Sequence, residues 1–301
     1  MNKEAIGTLL AFGTAIISGF AIFANKFFII GLDPTVFTAL RAIIIGLVFL
    51  VLSLVFNSWG KKESKKIHWG YLLLIGFIGG GLAFLLFFSG LKITTGGRAA
   101  FLHKTLPLYV LVLAFVFLKE KITKKQVWAM LLMLVGIAVM TSFSIAPSEF
   151  WLNPQMGDAL VLAATVLWAV ENVLARKAMI KGEHNFVVSF ARMFFGAVFL
   201  FGVALLSGKI GLIVTLTGMQ WFYIILSTII LFGYILTYYW SIRYINVSKA
   251  ATTLLLSPVI TLVLGWVFLG EPMPALQLAG SALILVGAYL IATVKSEFSR
   301  V

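Results

Sequence analysis

Ten apolar runs, each about the length of a bilayer crossing, follow one another along the chain and are separated by short polar breaks. A hydrocarbon core about 30 Å thick needs roughly 20 mostly apolar residues per helix. The runs at 5–30, 35–56, 69–91, 98–118, 126–143, 157–180, 186–207, 219–242, 249–268 and 275–294 meet that length. The breaks carry turn chemistry, as in Asp33-Pro34, KKESKK (61–66), KEKITKK (119–125), NPQMG (153–157) and GEPMP (270–274). None is long enough to hold a soluble domain. The first run exceeds the apolar core of a signal peptide, about 7–15 residues, and reads as a retained helix. The pattern predicts an all-α integral membrane protein with ten transmembrane helices, in contact with lipid along most of its length.

Composition agrees with the pattern. Of 301 residues, 61% are apolar and only 11% charged, against about 25% charged in a soluble domain. The net charge of +13 would suggest nucleic acid if the cations lined one face. They sit instead in the gaps between apolar runs, so no nucleic-acid partner is expected. The chain has no cysteine, which removes disulfides, thiolate metal sites and cysteine nucleophiles. Cytoplasmic loops carry an excess of Lys and Arg. With the amino terminus inside, the inner segments hold Lys3, the lysines of 61–66 and 119–125, Arg176, Lys177, Lys181, Arg243, Lys249, Lys295 and Arg300. The outer ones hold Lys26, Lys92, Arg98 and Lys209. Both termini are therefore expected in the cytoplasm.

Sliding the sequence by 151 residues without a gap lays Lys26 on Lys177, Arg41 on Arg192, Ala99-Ala100 on Ala250-Ala251, Pro107 on Pro258, Glu120 on Glu271 and Gly136 on Gly287. LVLAFVFLKE (111–120) then lies over LVLGWVFLGE (262–271). Each half holds five helices, an odd number, so the second must cross the membrane upside down relative to the first. Charge supports the inversion, because the lysine-rich 119–125 loop corresponds to an uncharged PMP. Inverted repeats are a recurrent architecture of secondary transporters, with the substrate site near the midplane between the halves.

FLGEPMPALQLAGSALILVGAYL (268–290) and FLKEKITKKQVWAMLLMLVGIAVM (117–140) resemble the end of the EamA repeat of the drug/metabolite transporter superfamily. FTALR (37–41) and VSFAR (188–192) resemble the start of its second helix, and LARKAMI (174–180) the end of its first. The resemblance implies a first repeat at 5–143, an extracytoplasmic linker at 144–156 and an inverted second repeat at 157–294. It further implies transport of small metabolites across the cell (inner or plasma) membrane. Lys119 departs from the pattern, standing where the repeat usually has glycine.

Ionisable groups inside a span cost at least about 2.5–3.5 kcal/mol, so each asks for a reason. Glu171 lies about 14 residues into the sixth run, roughly 21 Å along the helix. Trp168, Glu171, Asn172 and Ala175 share one helical face, expected to look into the bundle. Glu171 either binds a cationic group or a proton, or is a buried carboxylate tied to a neighbouring helix. Its repeat counterpart is Phe20, which suggests that packing alone does not need a carboxylate there. His103 and Lys104 fall early in the fourth run, opposite Leu254 and Leu255 of the second repeat. Lys104 either lines a cavity or snorkels outward. A carboxylate on Lys104 and an ammonium on Glu171 would suit a zwitterion. Tyr234, Thr237, Tyr238 and Ser241 form a polar stripe on the eighth run, and Thr14, Ser18 and Asn25 another on the first; such groups line a path or join helices.

The candidate substrate-binding residues are Trp168, Glu171, Asn172, His103, Lys104, Tyr234 and Tyr238, with Glu171 also the candidate for proton coupling. Arg41 and Arg192, matched in both repeats, are assigned to the scaffold. Glu120 and Glu271 are expected to satisfy backbone donors ahead of the next helix. Gly76 and Gly80 have the GxxxG spacing of close helix contacts, Pro107 and Pro258 should kink their helices, and Phe150, Trp151 and Trp221 should lie at the membrane interfaces. No metal-ligand spacing, G-x-S-x-G or Walker A motif is present, so neither an enzyme nor a cofactor is expected. The leading expectation is a monomeric secondary transporter exporting amino acids or similar amphipathic metabolites by alternating access. Proton-coupled efflux of lipophilic cations and a receptor or scaffold without flux are the rivals.

Overall fold

The computed structural model describes residues 2–59, 67–142 and 155–296. The lysines of 61–66, most of the 144–156 linker, Phe150, Trp151 and Arg300 lie outside the described residues. Among the described residues, ten helices are long and apolar enough to cross a membrane: α1 (Lys3–Phe28), α2 (Pro34–Val55), α3 (Trp69–Leu91), α4 (Gly96–Leu118), α5 (Lys124–Ser142), α6 (Met156–Ile180), α7 (Asn185–Leu206), α8 (Gly218–Tyr244), α9 (Val247–Leu269) and α10 (Ala275–Ala292). Each falls within two or three residues of an apolar run.

Local chemistry sets the ends. Asp33 caps α2, accepting from the backbone N–H of Thr35 and Val36, with Pro34 at the first helical position. Thr217 and Gln220 form a reciprocal capping box on α8. Burial works to raise the pKa of Asp33, but hydrogen bonds from Lys209, Val36 and Thr35 outweigh it and hold the carboxyl below its usual value.

The repeat is visible in the helix limits. Moved by 151 residues, the ends of α2 fall on those of α7, and the ends of α4 on those of α9. Glycine contacts obey the same symmetry: a Cβ on Gly136 would lie 2.7 Å from the carbonyl oxygen of Gly280, and one on its counterpart Gly287 would lie 2.9 Å from that of Ala129. The α5–α10 pair is thus a self-complementary contact between the halves. The outer faces of the bundle carry Leu206, Phe268, Leu54 and Val51, exposed as a lipid-facing helix requires.

Three helices depart from regular α geometry near the middle of the bundle. α3 contains a π-helical stretch over Gly76–Leu82. α4 breaks between Gly96–His103 and Leu106–Leu118, with Pro107 at the start of the second segment. α9 breaks at the corresponding place through a 3-10 turn, Leu254–Leu256, ahead of Pro258. The expected proline kinks are therefore full interruptions.

Lys119 takes the left-handed conformation, φ +52°, that Gly270 takes at φ +64° in the other repeat. The turn is kept without its glycine, at a strain of about 1–2 kcal/mol for an L-residue. Lys119→Gly is expected to gain about 1 kcal/mol after glycine's own entropic penalty and raise the thermal midpoint in detergent by about 2 °C. An unchanged or lower midpoint in scanning fluorimetry would contradict this.

Candidate functional site

A cavity of about 310 Å³ lies between the two repeats, within the size range of small-molecule sites. Its floor is formed by Arg192 of α7 and Ala251 and Leu254 of the interrupted part of α9. Its walls include Ser18 and Asn25 (α1), Arg41 (α2), Phe84, Phe87 and Phe88 (α3), His103 and Lys104 (α4), Trp168 and Asn172 (α6), and Ser227 and Tyr234 (α8). By the up-and-down order of the helices, these residues concentrate in the half of the bundle remote from the termini.

Five of the seven candidate substrate-binding residues line this cavity together: Trp168, Asn172, His103, Lys104 and Tyr234. The π stretch of α3 presents the Gly79 carbonyl to the Trp168 indole N–H at 3.0 Å. The indole packs edge-on to His103, with ring centres 4.9 Å apart, and to Phe84 at 5.2 Å. Lys104 Nζ donates to Ser257 Oγ at 2.6 Å. His103 Nδ1 and Asn172 Oδ1 are buried without a hydrogen-bond partner among the described residues. Tyr238 stacks on Tyr234 behind the wall, at 5.9 Å between ring centres.

Glu171 sits behind the lining, fully buried. It accepts a hydrogen bond from the Tyr239 hydroxyl, and its other oxygen lies 3.6 Å from Arg192 Nη1. The same Arg192 nitrogen donates to the Tyr239 hydroxyl at 3.3 Å. Space for the carboxylate exists because residue 79 is glycine; any side chain there would run into the Glu171 methylene.

The two arginines differ from the scaffold role expected of them, since both line the cavity. Arg192 is neutralised by Glu171, whereas Arg41 donates to Ser227 Oγ at 2.8 Å and lies over the Phe37 ring at 4.1 Å. Depth within the span was the available signal, the same one that marks Glu171. Other polar positions join helices: Thr14 donates to Thr237 at 2.8 Å, and Ser241 to the Gly7 carbonyl at 2.9 Å.

The end of the bundle that carries the termini is closed. Glu120, 6% exposed, accepts from the backbone N–H of Val247 at 2.8 Å and from the Ser248 hydroxyl at 2.6 Å. It therefore caps α9 in the other repeat and not the helix that follows it, because the α4–α5 turn packs against that amino end. Burial raises the pKa of Glu120, partly opposed by the bonds from Ser248 and Val247 and by the charge of Arg176. Gln126 ties in at 2.9 Å from Ser248. Lys249, expected in a solvated segment, is 1% exposed and donates to the Val294 carbonyl, with Glu4 at 3.6 Å. At the opposite end the counterparts do not repeat this latch. Glu271 pairs with Lys26 at 2.7 Å in an exposed position, and Gln277 Oε1 is left without a partner among the described residues.

No cluster of three or more potential metal ligands occurs among the described residues. Two broken helices, a central polar and aromatic chamber and one latched end define a membrane carrier built from inverted repeats. The profile of the EamA-like transporter family matches residues 5–142 and 155–293, and the chain belongs to this family, within the drug/metabolite transporter superfamily. It is 26% identical over 282 residues to the uncharacterized transporter YyaM of Bacillus subtilis (strain 168), covering 93% of this chain and 91% of that protein. Protein PecM of Dickeya dadantii (strain 3937) is 26% identical, with 96% and 93% covered. A probable amino-acid metabolite efflux pump of Salmonella typhimurium (strain LT2) is 28% identical, with 81% and 83% covered. A solved crystal structure superposes with a TM-score of 0.76 at 18% identity, over 95% of this chain and 98% of that one, and shares the fold.

Proposed function

We propose that this protein is a secondary transporter of the cell membrane, with both termini cytoplasmic, that exports amino acids or similar small amphipathic metabolites by alternating access. The carrying observation is the cavity of about 310 Å³ between the halves, latched by Glu120 at one end and lined by polar groups and aromatic rings. The rings of Phe87, Trp168 and Tyr234 suit an apolar side chain, while His103, Lys104 and Asn172 suit its polar end. Glu171, with Tyr239 and Arg192 around it, is the group proposed to couple proton movement to the cycle, and Tyr238 supports Tyr234 from behind. The repeats at 5–143 and 157–294 would rock against each other about this site, within one monomer. The name of the Salmonella relative favours the amino-acid class.

The test is uptake by purified protein in liposomes. Saturable counterflow of labelled phenylalanine, accelerated by a proton gradient, is the expected result. Movement of tetraphenylphosphonium in place of amino acids would favour the lipophilic-cation rival. Absence of flux across a broad panel of metabolites would end the transport reading.

A further inference from the structure

We infer that the cavity is an anion site, in which Arg41 and Lys104 seat the negatively charged end of an organic carboxylate and no amine is needed on the substrate. This rests on the transport reading above and narrows it. The argument starts from the charges held in the protein. Arg98 meets Asp158, Arg192 meets Glu171, Lys209 meets Asp33 and Lys249 meets Glu4. Arg41 and Lys104 have no ion-pair partner among the described residues; Arg243 has none either, but it donates to Asn185 Oδ1 and does not line the cavity.

Arg41 is 6% exposed, and its hydrogen-bond acceptor is the neutral Ser227 hydroxyl, which itself donates to Asn25 at 2.7 Å. Its Nε is buried with no acceptor among the described residues. Lys104 is half-buried and rests on the neutral Ser257 hydroxyl, which donates to the Leu254 carbonyl at 2.9 Å. Both cations open on the same chamber, and among the described residues no Asp or Glu lines it. An uncompensated cation at such depth is unfavourable, and an anion entering the chamber would offset it.

An ammonium would find neutral acceptors in the chamber, such as Asn172 Oδ1, close to two positive charges. The remaining wall, with Phe84, Phe87 and Trp168, accepts an aryl or alkyl body. The ligand class is therefore a monocarboxylate with an apolar body.

Three labelled probes sharing one phenyl-ethyl skeleton separate the terms: phenylpropionate, phenylalanine and phenethylamine. In proteoliposomes, phenylpropionate is expected to move at least as well as phenylalanine, and phenethylamine not at all. Arg41→Gln and Lys104→Leu should each raise the half-saturating phenylpropionate concentration about tenfold or more. Arg41→Lys and Lys104→Arg should retain more of the affinity, and thermal midpoints without substrate will separate lost binding from lost folding. Transport of phenylalanine or phenethylamine with phenylpropionate excluded would overturn the anion site while leaving the transporter reading intact. So would carboxylate affinity untouched by both charge-removing variants. Failure of every probe, while neutral or cationic metabolites still move, likewise overturns it. Failure of all metabolites ends the transport reading itself.

Discussion

Gly80→Val is expected to abolish recovery of folded protein. At the crossing of α3 and α7, a Cβ on Gly80 would overlap the carbonyl oxygen of Arg192 and lie 2.9 Å from the Gly196 Cα. These are backbone atoms, so no rotamer change relieves the clash and α7 as a whole must retreat. Arg192 would move away from Glu171 with it. Overpacking in a core costs about 1–3 kcal/mol when side chains can adjust; here the adjustment is a helix displacement, and the loss should exceed about 4 kcal/mol. Gly202→Ala is the matched control, because a Cβ at that position meets no atom within 4 Å. Gel filtration of the detergent extracts should show a monodisperse peak for the control and aggregate for Gly80→Val. Equal peaks would refute the close contact.

Glu171→Ala should have the second largest effect. It leaves the Arg192 guanidinium, 9% exposed, with the Tyr239 hydroxyl as its one hydrogen-bond partner among the described residues. Breaking a buried ion pair from one side costs about 3–5 kcal/mol, whereas removing both charges together is often nearly neutral. The midpoint should therefore fall by on the order of 10 °C in Glu171→Ala and recover most of that in the double variant Glu171→Ala/Arg192→Gln. Additive losses in the double-mutant cycle would mean that the two groups do not interact. Tryptophan fluorescence suits the measurement, since Trp168 sits one turn from Glu171 on α6.

Helix number, limits and the twofold repeat were legible because lipid imposes length and apolarity on every crossing, and because duplicated segments keep their spacing. The Lys26–Glu271 and Arg98–Asp158 ties were not legible, since which helices meet depends on how the halves cross. Nor was the place of the arginines. Matching positions argued for a common structural task, yet Arg192 has a carboxylate beside it and Arg41 has none among the described residues. The comparison of Glu171 with Phe20 also misled in one respect. Phe20 is 44% exposed on the outer face of α1, so the two positions face different surroundings, and the lack of a carboxylate at one says little about the other. The π stretch of α3 has no apolar-periodicity signal beyond its glycines, and its register became visible only through the Trp168–Gly79 contact.

The unequal treatment of Glu120 and Glu271 has an energetic consequence for a carrier. One carboxylate is sequestered and bonded to main-chain N–H groups of a helix end; the other rests in an exposed ion pair, contributing about 0–1 kcal/mol. In the proposed alternating-access cycle, this asymmetry would make the conformation shown the deeper of two wells. Escape from it, and not the return stroke, would then set the tempo of that cycle, and loosening Glu120 is expected to quicken turnover until the populations of the two states approach each other.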